Sequence, residues 1–135
     1  MDIIKKVKIL KKKYKTNNPF LLCENLNIKI FLRDIGFIKG YYKQILRKKY
    51  IVLNENLDVL SMKIVLAHEL GHAILHKKEI NLMKETFIFP KNSKVEKEAN
   101  QFAAELLIDE FLTDEYINFS SSELTIFEEL CKLKK

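Results

Sequence analysis

Cysteine is scarce in this 135-residue chain, and the two that occur, Cys23 and Cys131, stand far apart with no C-x-x-C pair. That spacing excludes a disulfide framework and a cysteine zinc site, and predicts free, buried thiols. Glycine and proline are nearly as rare, at 3 and 2 residues. With no internal repeat, low-complexity stretch or linker, the chain is expected to form one domain over residues 1–135. At 16.0 kDa and 47% hydrophobic residues it can bury a real core. No run approaches the roughly 20 apolar residues of a membrane span, and the N-terminus carries no apolar stretch followed by a small-residue cleavage site. The expected location is the cytosol.

Acidic residues are almost missing from the first part of the chain. Residues 1–50 hold 14 of the 24 Lys and Arg but 3 of the 18 Asp and Glu, so the remainder is net acidic although the whole is +6. A basic face can steer a protein to an acidic partner or to nucleic acid. Here no recognition motif accompanies the charge, so a solvated lysine-rich helix is the plainer reading, and direct nucleic-acid binding is not expected.

What the chain does have is periodicity. Ile3, Val7, Leu10 and Tyr14 recur at helical steps among lysines, which predicts an amphipathic helix stopped by Asn17-Asn18-Pro19; a short second helix is expected over 19–25. Ile28, Ile30 and Leu32 alternate with Lys29, Phe31 and Arg33, the period of a half-buried strand. Segments 37–43 and 49–53 read as two more, together a small antiparallel meander. A helix nearly hydrophobic all round runs from about Asp58 to Lys77, a short strand from Thr86 to Phe89, a helix from Ser93 to about Leu112, and a last helix from Ser120 to about Leu133. The expected fold class is α+β, a small antiparallel sheet packed on a central helix with further N- and C-terminal helices.

That central helix contains His68-Glu69-Leu70-Gly71-His72, the most specific feature of the chain. Three His and 13 Glu give an H-E-x-x-H by chance in roughly 0.6% of random orders. At 100° per residue, His68 and His72 project from one face toward one point, and Glu69 lies beside it, near enough to take a proton from a water held there. The pattern predicts a zinc-dependent hydrolase with Glu69 as general base. The bland alternative is two satisfied core histidines and a surface glutamate. His76 continues the series a turn further on and reads as a helix-end polar group or a partner to a ligand, outside the ligand set itself. Gly71 costs the helix about 1 kcal/mol against Ala, which implies a tight packing contact there.

A catalytic zinc site takes three protein ligands, so one is missing. The candidates are Glu96 and Glu98 on the next helix. Lys94, Glu98, Gln101 and Glu105 form a polar stripe, expected to face solvent, whereas Glu96, Ala99, Asn100, Ala103 and Leu107 form the stripe expected to face the core. Glu96 is thereby preferred, unless it only completes a capping box with Ser93. Asn100 is placed to hydrogen-bond a histidine's free ring nitrogen, or to make an ordinary helix contact.

Ala67-His68-Glu69-Leu70-Gly71-His72-Ala73-Ile74-Leu75-His76, followed by the block 96–107 and, more weakly, by Gly40-Tyr41-Tyr42 and the strand into Asn54, resembles the ImmA/IrrE family of metallo-endopeptidases. These are small gluzincin-like proteins, often carried by phages and mobile elements. The resemblance implies a minimal zincin-like fold, a ligand set of His68, His72 and Glu96 for zinc (or manganese), and Glu69 as general base. It further implies a role in cleaving a helix-turn-helix repressor, a separate protein, so that a mobile element or stress regulon is switched on. The family usually has a proline after the Leu-Leu pair, where this chain has Ile108-Asp109. Tyr41, Tyr42 and Tyr116 are the candidate donors to a developing oxyanion, and Thr86 to Phe89 is the candidate sheet edge for a peptide substrate. The rival from another class is a non-proteolytic anti-repressor whose metal serves only structure.

Overall fold

The computed structural model describes residues 2–77, 93–108 and 128–133. Helix α1 (Ile3–Tyr14) starts at Asp2, whose carboxylate accepts the Lys5 amide, and ends at Lys15 in the left-handed region; Ile3 and Val7 are its buried positions, and Lys5, Lys6, Lys8, Lys12 and Lys13 are exposed. Helix α2 (Pro19–Asn25) has Asn18 as its cap and Pro19 at its first turn, where a missing N–H costs nothing. Asp58 caps α3 (Val59–Leu75) by accepting from the Ser61 amide, and Ser93 caps α4 (Lys94–Leu107) by accepting from the Glu96 amide. Residues 128–133 are helical and bury Leu130. Thr86 to Phe89 lies outside the described residues. No helix among them is long and apolar enough to cross a membrane.

The sheet departs from the expected meander. Strands β1 (Ile28–Arg33), β2 (Gly40–Ile45) and β3 (Lys48–Asn54) lie in the order β1-β3-β2, with β1 parallel and β2 antiparallel to β3. β3 is therefore central, which is why Ile51, Val52 and Leu53 are all buried in succession rather than alternately. Asn54 explains how the chain reaches the far side of β3. Its side-chain amide donates to the carbonyls of Gly36 and Ile38 (both 2.9 Å), and its own amide donates to Lys39. The 34–39 segment is thereby tied across the end of β3, and β2 starts at Gly40, leaving Phe37 fully exposed.

Helix α3 lies against α4, α2, β2 and β3, and α4 lies against both α3 and α1. Leu22, Leu66, Leu70, Phe102, Leu106 and Leu107 are completely buried where these elements meet. At about 1.5–3 kcal/mol for each such side chain, this junction is what holds α3 and α4 side by side. Packing on two faces corrects the expectation for α4: Glu105, assigned to a solvent stripe, is 6% exposed, and Glu98 is half-buried. The cysteines are free, Cys23 buried and Cys131 only half-buried. Burial pushes the Cys23 thiol up to about 12.

Candidate metal centre

Two glycines let the neighbours of α3 come close. A Cβ on Gly71 would lie 3.1 Å from Cδ1 and 3.2 Å from Cβ of Phe102, so the expected tight contact is the crossing of α3 and α4. A Cβ on Gly40 would fall 2.8 Å from Val65, so β2 is pressed onto α3 one turn before His68. These approaches set the positions of the polar groups between the elements.

His68 and His72 bring their Nε2 atoms to 3.2 Å of each other. Glu96 reaches in from α4, with Oε2 2.9 Å from His68 Nε2 and Oε1 2.8 Å from His72 Nε2. The Glu96 carboxylate thus turns to the histidines while its amide donates to Ser93, so the hydroxyl caps the helix without a reciprocal bond. On the far side of its ring, His68 donates from Nδ1 to the Asn100 side-chain oxygen at 2.7 Å. Glu69, 9% exposed, accepts a backbone hydrogen bond from Tyr42 of β2. His76 closes α3 as its C-cap, with Nδ1 3.0 Å from His72 Nδ1 and Nε2 3.3 Å from a Glu98 oxygen.

The charges follow from these contacts. Burial pushes Glu69 up to about 7; His68 and the Tyr42 amide pull against that rise, and Glu96 adds to it. Burial alone would also raise Glu96, but hydrogen bonds from His68 and His72 and the charge on the rings hold it down at about 2. His68 is desolvated, which lowers it, yet Glu96, Glu69 and Asn100 together leave it raised. His72 is lowered by desolvation and by His68 and His76, against the pull of Glu96. Of the two rings, His68 is thus shifted toward its protonated form and His72 away from it.

Whether a metal fits is a matter of spacing. Ligand atoms about 2.0–2.1 Å from a tetrahedral zinc stand about 3.3 Å from one another. The three separations here are 3.2, 2.9 and 2.8 Å, so outward shifts of a few tenths of an ångström admit an ion. His68, His72 and Glu96 form the group of converging metal-ligating side chains among the described residues.

The family model of the IrrE N-terminal-like domain, a peptidase family, matches residues 23–129. The chain belongs to this family. Over 114 residues it is 43% identical to a protein of Bacillus phage phi105 named uncharacterized immunity region protein 2, an alignment covering 83% of this chain and 72% of that protein. Over 120 residues it is 34% identical to metallopeptidase ImmA of Bacillus subtilis strain 168, covering 84% of this chain and 64% of that protein. No solved structure matches the chain. An IrrE N-terminal-like peptidase domain implies a divalent metal, and the triangle of His68, His72 and Glu96 is a set that can bind one. α4 ends at Leu107, with Ile108, 5% exposed, as its C-cap.

Two relationships escaped the sequence. Tyr42 was one of three candidate side-chain donors, and its backbone is what meets Glu69; the hydroxyl lies 3.5 Å from Gln44. Glu98, assigned outward, instead faces His76, whose buried ring stays beside His72 at the C-cap of α3. Tyr116 lies outside the described residues.

Proposed function

We propose that the protein is a zinc-dependent, site-specific endopeptidase that cuts a regulatory protein, a helix-turn-helix repressor of a mobile element. The observation that carries this reading is the meeting of His68, His72 and Glu96 at one point with buried Glu69 on the adjacent position of the same helix. The name of the phage relative, an immunity region protein, and that of the ImmA metallopeptidase support the substrate class.

A divalent cation held by His68, His72 and Glu96 would supply a Lewis acid for the scissile carbonyl and make an attacking water more acidic. Glu69 takes the proton of that water and delivers it to the leaving amine. Burial raises the Glu69 carboxyl in the metal-free protein, which favours holding a proton there between the two halves of that task. Asn100 holds the His68 ring by its Nδ1, leaving Nε2 toward the triangle. β2 is an outer strand of the sheet among the described strands, and it is the one that reaches Glu69. An extended substrate segment pairing along that edge would pass Glu69, with backbone bonds supplying affinity.

The test is to incubate the protein with the repressor encoded beside its gene, with and without a chelator. One discrete cut, found by mass spectrometry and abolished by the chelator, is the expected result; an intact repressor under both conditions removes the reading.

A further inference from the structure

The row of side chains behind His72 ends in a carboxylate at either side, Glu96 and Glu98, so neutral rings satisfy it fully only when a cation stands at one end. His72 turns Nε2 to the triangle, its Nδ1 stands 3.0 Å from Nδ1 of His76, and Nε2 of His76 stands 3.3 Å from Oε1 of Glu98. The His76 side chain is 1% exposed, so neither of its ring nitrogens has bulk water as an alternative partner. A neutral imidazole carries one N–H and one lone pair. Suppose His72 donates from Nε2 to Glu96. Its Nδ1 must then accept, His76 must donate from Nδ1, and Nε2 of His76 is left as a lone pair against a carboxylate. With a cation in the triangle the row closes in reverse: His72 donates from Nδ1 to His76, His76 donates from Nε2 to Glu98, and the Nε2 lone pair of His72, which would otherwise stand 2.8 Å from a Glu96 oxygen, is taken by the ion.

We propose that His76 and Glu98 are positioning residues that fix His72 in the tautomer able to bind a cation through Nε2, with Glu98 as the final acceptor of the row. This rests on the metal-site reading above. Asn100 does the same for His68 in one step, its oxygen accepting from Nδ1 at 2.7 Å. The two ligand histidines are thus held by different devices, and on the His72 side the acceptor that fixes the ring is itself a ring that must be fixed. That accounts for a buried histidine that lies outside the converging ligand group and for the half-buried glutamate that faces it. Groups that orient a metal-bound histidine are worth about 10- to 100-fold in affinity.

Two measurements on the full chain test it: zinc affinity by competition with a chromophoric chelator, and ring tautomers from long-range proton–nitrogen correlations on 15N-labelled protein. In the zinc-loaded protein His72 is expected to carry its proton on Nδ1 and His76 on Nε2. His76→Leu should bind zinc about 10- to 100-fold more weakly. His76→Asn, whose amide oxygen stands where Nδ1 was, should recover most of that loss. Glu98→Ala should lose affinity and Glu98→Gln, which keeps an acceptor oxygen, should not. A His76 protonated on Nδ1 in the loaded protein, or zinc binding undiminished in both His76→Leu and Glu98→Ala, overturns the proposal. Metal-free melting curves show whether each variant folds; should His76→Leu not fold, Glu98→Ala, at a less buried site, decides alone. If the unaltered protein binds no zinc, the metal reading fails and takes the relay with it, whereas tight binding that ignores these substitutions removes the relay only.

Discussion

Phe102 occupies the space that a side chain on Gly71 would need, its Cδ1 3.1 Å from where a Cβ would stand. Phe102 is completely buried among Leu66, Leu70 and Leu106 and has little room to yield. Alanine would gain the helix about 1 kcal/mol, but overpacking a closed core costs about 1–3 kcal/mol. Gly71→Ala is therefore expected to be destabilised by about 1 kcal/mol in urea unfolding. It should also weaken zinc binding, because pushing α4 away carries Glu96 with it. Adding Phe102→Leu should restore part of both. A Gly71→Ala protein more stable than the parent, with unchanged metal affinity, would show that the crossing of α3 and α4 has slack.

Glu69→Gln separates catalysis from stability. Activity on the substrate should fall by orders of magnitude while zinc stays bound, since Glu69 is outside the converging ligand group. Stability of the metal-free protein should change in the other direction. The folded carboxyl is raised to about 7 from 4.5, so the protonated form is the one folding favours. Its contribution is complete below pH 4.5 and fades as pH climbs to 7. Glutamine has no such loss. The variant should gain on the parent between pH 5 and pH 8, by up to about 3 kcal/mol. Parallel stability profiles for the two proteins across that range would contradict the burial argument.

Removing the metal should leave a folded protein. His68 and His72 already close on Glu96 by hydrogen bonds, and the buried junction of α3 with α4 does not involve the triangle. After chelation, the far-ultraviolet circular dichroism and a cooperative melt should persist, with cleavage lost and restored by zinc. The melting temperature should drop only by the binding free energy of the ion. Collapse to an unfolded chain on chelation would instead mark a structural site, as the anti-repressor alternative requires.

Helices α1 to α4 were legible in the sequence because each opens on a residue type that caps helices and continues at helical spacing or as a long apolar run: Asp2, Asn18, Asp58 and Ser93 all cap as their residue types suggest. Sheet order was not, because strand pairing is a non-local choice that period-2 alternation does not encode. One clue was available. The unbroken Ile51-Val52-Leu53 run suits a strand covered on both sides, and that is the middle strand, not the end of a meander. His68, His72 and Glu96 were reachable by counting, since two fall on one helix face and the third on the core stripe of the next. Glu98 and Glu105 were misplaced by the same counting, which treats a helix as having one covered side. α4 has two, against α3 and against α1.

Asn54 links that sheet order to the site. Its side chain donates to Gly36 and Ile38 and accepts from the Asn56 amide at 3.0 Å, and the residue is 6% exposed. Replacing it with alanine removes three hydrogen bonds that tie the 34–39 segment and the turn after β3 to a buried position, at about 1 kcal/mol for each. Asn54→Ala should therefore cost roughly 3 kcal/mol in urea unfolding. Asn54→Asp should be no milder, because a carboxylate keeps the bond from Asn56 but turns an acceptor toward the Gly36 and Ile38 carbonyls. Both variants release the 34–39 segment that delivers β2 to α3, and Tyr42 of β2 holds Glu69 through its backbone. Cleavage should fall further than the folded fraction explains, with zinc affinity little changed. Activity that simply tracks the folded fraction would mean that the close approach of Gly40 to Val65 seats β2 on α3 without the Asn54 bridge.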